Sequence, residues 1–220
     1  MMLCELQDYL SGIYRADPGC AVTDFLVTDP ALAAILGRGN LVPQTEESVL
    51  MSEDGNNLDL CLFLDQQLLD RLAGENPLEF LRAGRLKDVW TVLEGVSHFN
   101  YLVWNARQDR KVTLMELEMQ AEVDKFVSTW LLANSQAHCD FGHLLHDWLF
   151  GDVRFNPALN PTQRQRYETA NNYAGRFCHG LLKRMQGDSF GCLDELRHFY
   201  RMPQPEKISH IHSSAYSMPA

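Results

Sequence analysis

Glutamate and histidine side chains recur at helical spacing between residues 94 and 122. Glu94 and His98 form an i, i+4 pair, and Glu118 and Glu122 form another, so each pair lies on one face of a helix. Helical metal proteins place Glu and His at i, i+3 or i, i+4 so that two side chains reach one ion. These four residues are therefore candidate metal ligands.

An imidazole pair at i, i+3 follows further along the chain. The full set of candidate ligands is Glu94, His98, Glu118, Glu122, His143 and His146. Carboxylate and imidazole groups together suit a divalent transition metal, zinc or iron. Such an ion would activate water or dioxygen, which predicts a metal-dependent hydrolase or oxidoreductase.

Two long helices must position these residues. Apolar periodicity predicts the first over 86–107, and Thr113 opens the second with a capping box. The short polar turn between them makes the helices antiparallel, so residues equidistant from the turn lie at one level. With Arg110 as the centre, His98 and Glu122 are level, each 12 residues away. Gly95, in mid-helix, predicts close approach by another helix.

The same residues also admit a purely structural interpretation. Glu122 lies within the predicted apolar stripe of the second helix, and with His98 it would form a buried ion pair that fixes the helix register. His143 and His146 stand beside Asp147 and suit the exposed edge of a short helix. We favour this interpretation for each residue taken alone, while their convergence would indicate a metal site.

The rest of the chain predicts a mainly α (α+β) fold. A bundle of four to five helices follows a small N-terminal α+β region with one β-hairpin, whose apolar runs at 48–52 and 58–64 flank an Asp-Gly turn. Further helices are predicted over 4–13, 30–36, 66–73, from 76, and over 161–185 and 192–201. We divide the chain into an acidic α+β region (1–65), a helical bundle (66–205) and a loosely ordered tail (206–220).

Charge and composition exclude several classes of protein. The 220 residues carry 19 Lys and Arg against 29 Asp and Glu, a net charge of −10, which argues against general nucleic-acid binding. Residues 1–65 alone carry a net charge of −9. No apolar run approaches the roughly 18 residues that span a bilayer, and no basic segment precedes an apolar one at the start. We therefore expect a cytoplasmic protein without membrane association.

Several familiar catalytic signatures do not occur in the sequence. It has no G-x-G-x-x-G, P-loop or kinase motif, and its 6 cysteines include no C-x-x-C. The leading hypothesis is therefore a non-catalytic interaction or regulatory protein with a protein partner and no cofactor. The alternative hypothesis is the helical metalloprotein with zinc or iron. The oligomeric state and the question of enzymatic activity stay open.

Overall fold

The computed structural model of the chain describes residues 2–37, 42, 44–54, 57–74, 76, 85–137, 141–151, 153, 155–185 and 189–213. These residues form a mainly α-helical fold, as the sequence predicts, with a small three-stranded sheet near the N terminus.

The N-terminal region begins with helix α1 (Met2–Tyr14), followed by a 3₁₀ turn (Val22–Phe25), strand β1 (Leu26–Val27) and helix α2 (Pro30–Leu36). Helix α2 has the predicted bounds. The Asp29 carboxylate caps it by accepting hydrogen bonds from the backbone N–H groups of Ala31 at 2.7 Å and Leu32 at 3.4 Å. Pro30 then occupies the first helical turn, where a missing N–H costs nothing.

The predicted hairpin is present as strands β2 (Glu47–Asp54) and β3 (Asn57–Leu64), which pair antiparallel with Val49 opposite Leu62. Turn residues 55–56 lie outside the described residues. Strand β1 joins the other edge of β3 in parallel, which gives the order β1-β3-β2. The sequence did not predict β1, because two residues are too few to show an alternating pattern.

The helical part follows in chain order. It consists of α3 (Gln66–Arg71), α4 (Leu86–Ala106), α5 (Leu114–Ala137), α6 (Gly142–Phe150), α7 (Pro161–Met185), α8 (Ser189–Arg201) and α9 (Gln204–Ile211). Helix α5 packs against α4, α6 and α7, so it lies at the centre of the bundle. The helix predicted from residue 76 falls on residues 77–84, outside the described part of the chain.

The region predicted as a loosely ordered tail from residue 206 begins inside a helix of the structure. Residues 204–211 form α9, in which Lys207 and Ile211 are buried. Pro203 lies between α8 and α9, and Pro205 lies in the first turn of α9, where proline is well tolerated. Residues 214–220 lie outside the described residues.

The larger of the two hydrophobic clusters formed by the described residues takes side chains from both predicted regions. Its members include Leu6 and Leu10 of α1, Leu62 and Leu64 of β3, Val92 and Val96 of α4, and Phe126 of α5. The division of the chain at residue 65 stays a prediction.

Gly95 of α4 is closely approached, but by the sheet and not by a helix. A Cβ atom at this position would stand 2.9 Å from Leu62 Cδ1, 3.0 Å from Glu47 Cγ and 3.2 Å from Leu64 Cδ2. The glycine therefore lets β2 and β3 lie directly on α4, and it brings the side chain of Glu47 to this helix.

We expect alanine substitutions at two helical glycines to change stability in opposite directions. Gly95→Ala should lower the free energy of unfolding by about 1 kcal/mol, because overpacking outweighs the gain in helix propensity. Gly12→Ala in α1 should raise it by about 0.5–1 kcal/mol, since nothing lies within 4 Å of the added methyl. Urea denaturation of both variants is the measurement, and stabilisation by Gly95→Ala would contradict the close approach.

Candidate functional site

The paired helices α4 and α5 run antiparallel, but their register differs from the predicted one. His98 faces Glu118, with its Nε2 3.5 Å from Glu118 Oε2. Both residues are equidistant from residue 108, whereas the prediction used Arg110 as the centre. The reason lies in the connection: residues 107–109 form a turn on the end of α4, with Asp109 at a φ of 52°. The pairing of His98 with Glu122 is therefore wrong by about one helical turn.

Three of the six predicted ligands come together. Glu94, His98 and Glu118 each offer a ligand atom within 4.8 Å of the other two, and we call them the acid–histidine cluster. His98 is 5% exposed and Glu118 is 6% exposed, while Glu94 is partly buried. Among the described residues, no other group of at least three His, Cys, Asp or Glu side chains meets this distance.

The two ring nitrogens of His98 have different surroundings. Nδ1 lies 3.3 Å from Oε1 of Glu47, the first residue of β2. Nε2 is buried beside Glu118 and makes no hydrogen bond within the described part of the chain. Metal-binding histidines commonly donate one ring N–H to a carboxylate and use the other nitrogen as the ligand. The Glu47–His98 pair has this arrangement.

Lys125 connects Glu122 to the cluster. Its ammonium donates hydrogen bonds to Glu94 Oε2 at 3.0 Å and to Glu122 Oε1 at 2.8 Å. Burial alone would lower the pKa of Lys125, but the two carboxylates raise it above its ordinary value. Lys125 therefore stays charged, and Glu122 pairs with it instead of with His98.

Burial and neighbouring charges shift the ionisation of the site. Burial raises the pKa of Glu47, although His98 opposes the shift. For Glu94, burial would raise the pKa, but Lys125 and His98 lower it below its ordinary value. For His98, burial lowers the pKa, and the carboxylates of Glu118 and Glu47 together raise it well above its ordinary value. The site thus attracts positive charge strongly.

Two cavities flank the cluster. One of about 640 Å³ has Glu94, Glu122 and Lys125 among its lining residues. Its aromatic wall is formed by Trp90, Trp148, Phe155 and Tyr167. The other, of about 510 Å³, is lined by His98 and Arg166, and both cavities share Glu47 and Tyr167. Cavities of this size accommodate small organic molecules.

The structure does not bring His143 and His146 to the acid–histidine cluster. They lie on α6, where their rings stand 6.4 Å and 5.4 Å from the ring of His179 of α7. His146 Nε2 lies 2.9 Å from the backbone oxygen of Gly175, and His143 is exposed. The face of α6 that carries these two side chains is thus turned toward His179.

Sequence reasoning missed four side chains that complete the site, which are Glu47, Lys125, Arg166 and Tyr167. Lys125 had a usable signal, because it follows Glu122 at i, i+3. Tyr167 lies at apolar spacing on the helix predicted over 161–185, a pattern that indicates a role for its ring in packing and none for its hydroxyl. Glu47 had no sequence signal, since only the folded hairpin carries it to His98.

No family model, curated protein or solved structure matches the chain. Of the helices that the structure describes, none combines the length and the apolar character needed to cross a membrane. The side chains of the site are therefore the features that indicate a function.

Proposed function

We propose that the protein binds one divalent transition metal ion, zinc or iron, through Glu94, Glu118 and Nε2 of His98. The observation that carries this proposal is the environment of His98. Its Nδ1 is beside the Glu47 carboxylate, and its buried Nε2 lies among carboxylates without a hydrogen bond. A buried polar atom without a hydrogen bond is costly, so its presence calls for a ligand.

The charge around the cluster supports a divalent cation. Four carboxylates, those of Glu47, Glu94, Glu118 and Glu122, converge there. Lys125 contacts two of them, and Arg166 Nη2 lies 3.8 Å from Glu118 Oε1. The metal ion would displace the proton that Glu118 and Glu47 favour on His98, and with His98 neutral two negative charges remain. One divalent ion would neutralise them.

The number of ligands and the cavities favour a reactive site over a structural one. Structural zinc sites usually have four protein ligands, whereas catalytic sites have three and leave a position for water or substrate. The cavity of about 640 Å³ reaches Glu94 and would admit a small molecule. When bound, the ion would act as a Lewis acid on water or on that molecule, which is the chemistry of a metal-dependent hydrolase or oxidoreductase.

Metal content and affinity test the proposal. We expect untagged protein purified without chelator to bind about one equivalent of Zn²⁺ or, anaerobically, Fe²⁺, measured by mass spectrometry and calorimetric titration. His98→Ala should lower the affinity by more than the roughly 10–100-fold that loss of an outer-shell partner causes. The loss of metal affinity caused by Glu47→Gln should fall within that range, because this change affects only the partner of His98 Nδ1.

His143→Ala is the matched control, since it removes an exposed histidine outside the cluster. It should bind metal like the wild type. If the wild type binds no metal and His98→Ala is only less stable, the Glu47–His98–Glu118 contacts form a structural ion-pair lock and the proposal is wrong. Circular dichroism of each variant separates loss of metal from loss of fold.

An interaction function remains the second candidate. Helix α2 exposes three large apolar side chains, Leu32, Ile35 and Leu36, and Ile35 is 73% exposed. Apolar side chains grouped in this way are typical of protein-binding surfaces. The metal experiment separates the two hypotheses, because an interaction surface on α2 requires no metal.

A further inference from the structure

The ammonium group of Lys125 has the position that a cation bound by Glu94 and Glu122 would have. It lies 3.0 Å from Glu94 Oε2 and 2.8 Å from Glu122 Oε1. The side chain of Lys125 is 11% exposed, so these contacts are largely shielded from water. A protein cation is therefore fixed beside the acid–histidine cluster.

We infer that Lys125 occupies a second cation position and thereby limits the site to a single metal ion. This inference rests on the proposed function, because it concerns the number of ions that the same site holds. It also assigns Glu122, one of the six predicted ligands, to the second position and not to the first.

The two i, i+4 pairs give the arrangement of a two-cation site. Glu94 and His98 on α4 face Glu118 and Glu122 on α5, and the two helices are antiparallel. Glu94 belongs to the cluster and also contacts Lys125, so its carboxylate lies between the two cation positions. In two-metal sites the ions stand about 3.5–4 Å apart and share such carboxylates.

A single metal ion beside Lys125 limits the reactions that the site could catalyse. One metal ion beside a fixed ammonium group would act as a single Lewis acid with a neighbouring hydrogen-bond donor. Lys125 also lines the cavity of about 640 Å³, where its charge favours a molecule with an anionic or carbonyl oxygen close to the ion. Chemistry that needs two metal ions is disfavoured in the wild-type protein.

Replacing Lys125 by methionine tests the inference, because methionine is similar in length and carries no charge. Calorimetric titration with Mn²⁺ or Zn²⁺ should give one equivalent for the wild type and two for Lys125→Met. Electron paramagnetic resonance of the Mn²⁺-loaded variant should show the exchange-coupled signal of two neighbouring ions. Lys125→Arg keeps the cation and should stay at one equivalent.

A second variant shows whether the additional ion uses Glu122. The double variant Lys125→Met with Glu122→Gln should return to one equivalent, because the second position has lost a ligand. The double variant also lacks the buried carboxylate that Lys125→Met leaves unpaired, so the double variant should fold even if Lys125→Met folds only with metal. If Lys125→Met does need metal to fold, its Tm should rise more on metal addition than the Tm of the wild type, and this difference reports the second ion.

The outcomes separate the inference from the proposed function. One equivalent in the wild type and one in Lys125→Met, without a coupled signal, overturns the inference and leaves the proposed function standing. No metal in either protein overturns both. Two equivalents in the wild type overturn the inference alone, since Lys125 would then not limit the site.

Discussion

Replacing Lys207 by methionine is expected to remove a contribution to stability that grows as the pH rises from about 7 to about 10. Lys207 of α9 is fully buried, and its ammonium donates a hydrogen bond to Gln120 Oε1 at 2.6 Å. The rings of Tyr101 and Phe199 lie 4.9 Å and 4.3 Å from its nitrogen. Burial lowers the pKa of Lys207 from 10.5 to about 7.

The direction of the pH dependence is set by the number of protons that the folded and unfolded states bind. Between pH 7 and 10.5 the unfolded chain carries a proton on Lys207 and the folded protein does not, so stability rises with pH in this range. Below pH 7 both states are protonated, and the folded state bears the full cost of a buried charge, which Glu116 and Asp124 only partly offset. A shift of this size corresponds to about 5 kcal/mol in total.

Urea denaturation of the wild type and Lys207→Met, at several pH values between about 7 and 10, measures the effect. The stability difference should change by about 4 kcal/mol in favour of the wild type across this range. Titration of other groups, such as the buried thiol of Cys192, cancels in the difference. Lys111→Met, at an exposed lysine, is the control and should run parallel to the wild type. Parallel profiles for Lys207→Met would contradict the lowered pKa.

The helices could be predicted because their ends are marked by local chemistry. At the start of α7, Asn160 and Gln163 form reciprocal hydrogen bonds of 2.9 Å, side chain to backbone. Asp65 caps α3 by accepting from the Gln67 N–H group at 2.7 Å. Such caps involve residues two or three apart, so the sequence displays them directly. Contacts over longer separations have no comparable signal.

The candidate site could be predicted only in part, for two physical reasons. The pairs Glu94–His98 and Glu118–Glu122 follow from helical spacing, but the level at which the helices meet depends on the conformation of the turn. The centre of the turn lies two residues earlier than predicted, so the partner of His98 is Glu118 and not Glu122. In addition, Glu47 reaches His98 only through the packing of the hairpin on Gly95, which no local pattern displays.

The buried face of helix α5 is difficult to predict from the sequence, because the helix buries polar side chains on two sides. Glu116, Gln120 and Asp124, at i, i+4 spacing, point toward the network around Tyr101 and Lys207. Glu118 and Lys125 belong to the candidate site. These buried polar residues interrupt the apolar stripe of α5. The spacing of apolar residues therefore does not distinguish a buried carboxylate from an exposed one.

Removing the Glu116 carboxylate should destabilise the protein more than breaking any surface ion pair. Glu116 is 1% exposed and accepts hydrogen bonds from the Tyr101 hydroxyl at 2.5 Å and from Arg110. Thr113 caps α5 as predicted, since its hydroxyl accepts from the Glu116 N–H group at 3.1 Å. The Glu116 side chain, however, points inward instead of back to the cap.

Removal of the Glu116 carboxylate destabilises the protein mainly through its effect on Arg110. This arginine also donates to the backbone oxygens of Arg201 at 2.7 Å and Met202 at 3.0 Å, so it joins the α4–α5 turn to the end of α8. Glu116→Ala leaves the guanidinium group of Arg110 without its carboxylate partner and the Tyr101 hydroxyl without its acceptor. Breaking one side of a buried pair costs about 3–5 kcal/mol, because the remaining charge is uncompensated.

Chemical denaturation should show this loss for Glu116→Ala and a smaller one, about 1–3 kcal/mol, for Glu116→Gln, which keeps an acceptor oxygen. Asp88→Ala is the matched control, because its partner Arg71 is 36% exposed and such pairs contribute at most about 1 kcal/mol. Equal effects of Glu116→Ala and Asp88→Ala would mean that the buried network contributes no more than a surface pair. The ordering of the three variants therefore tests whether Arg110 depends on Glu116 to remain inside the fold.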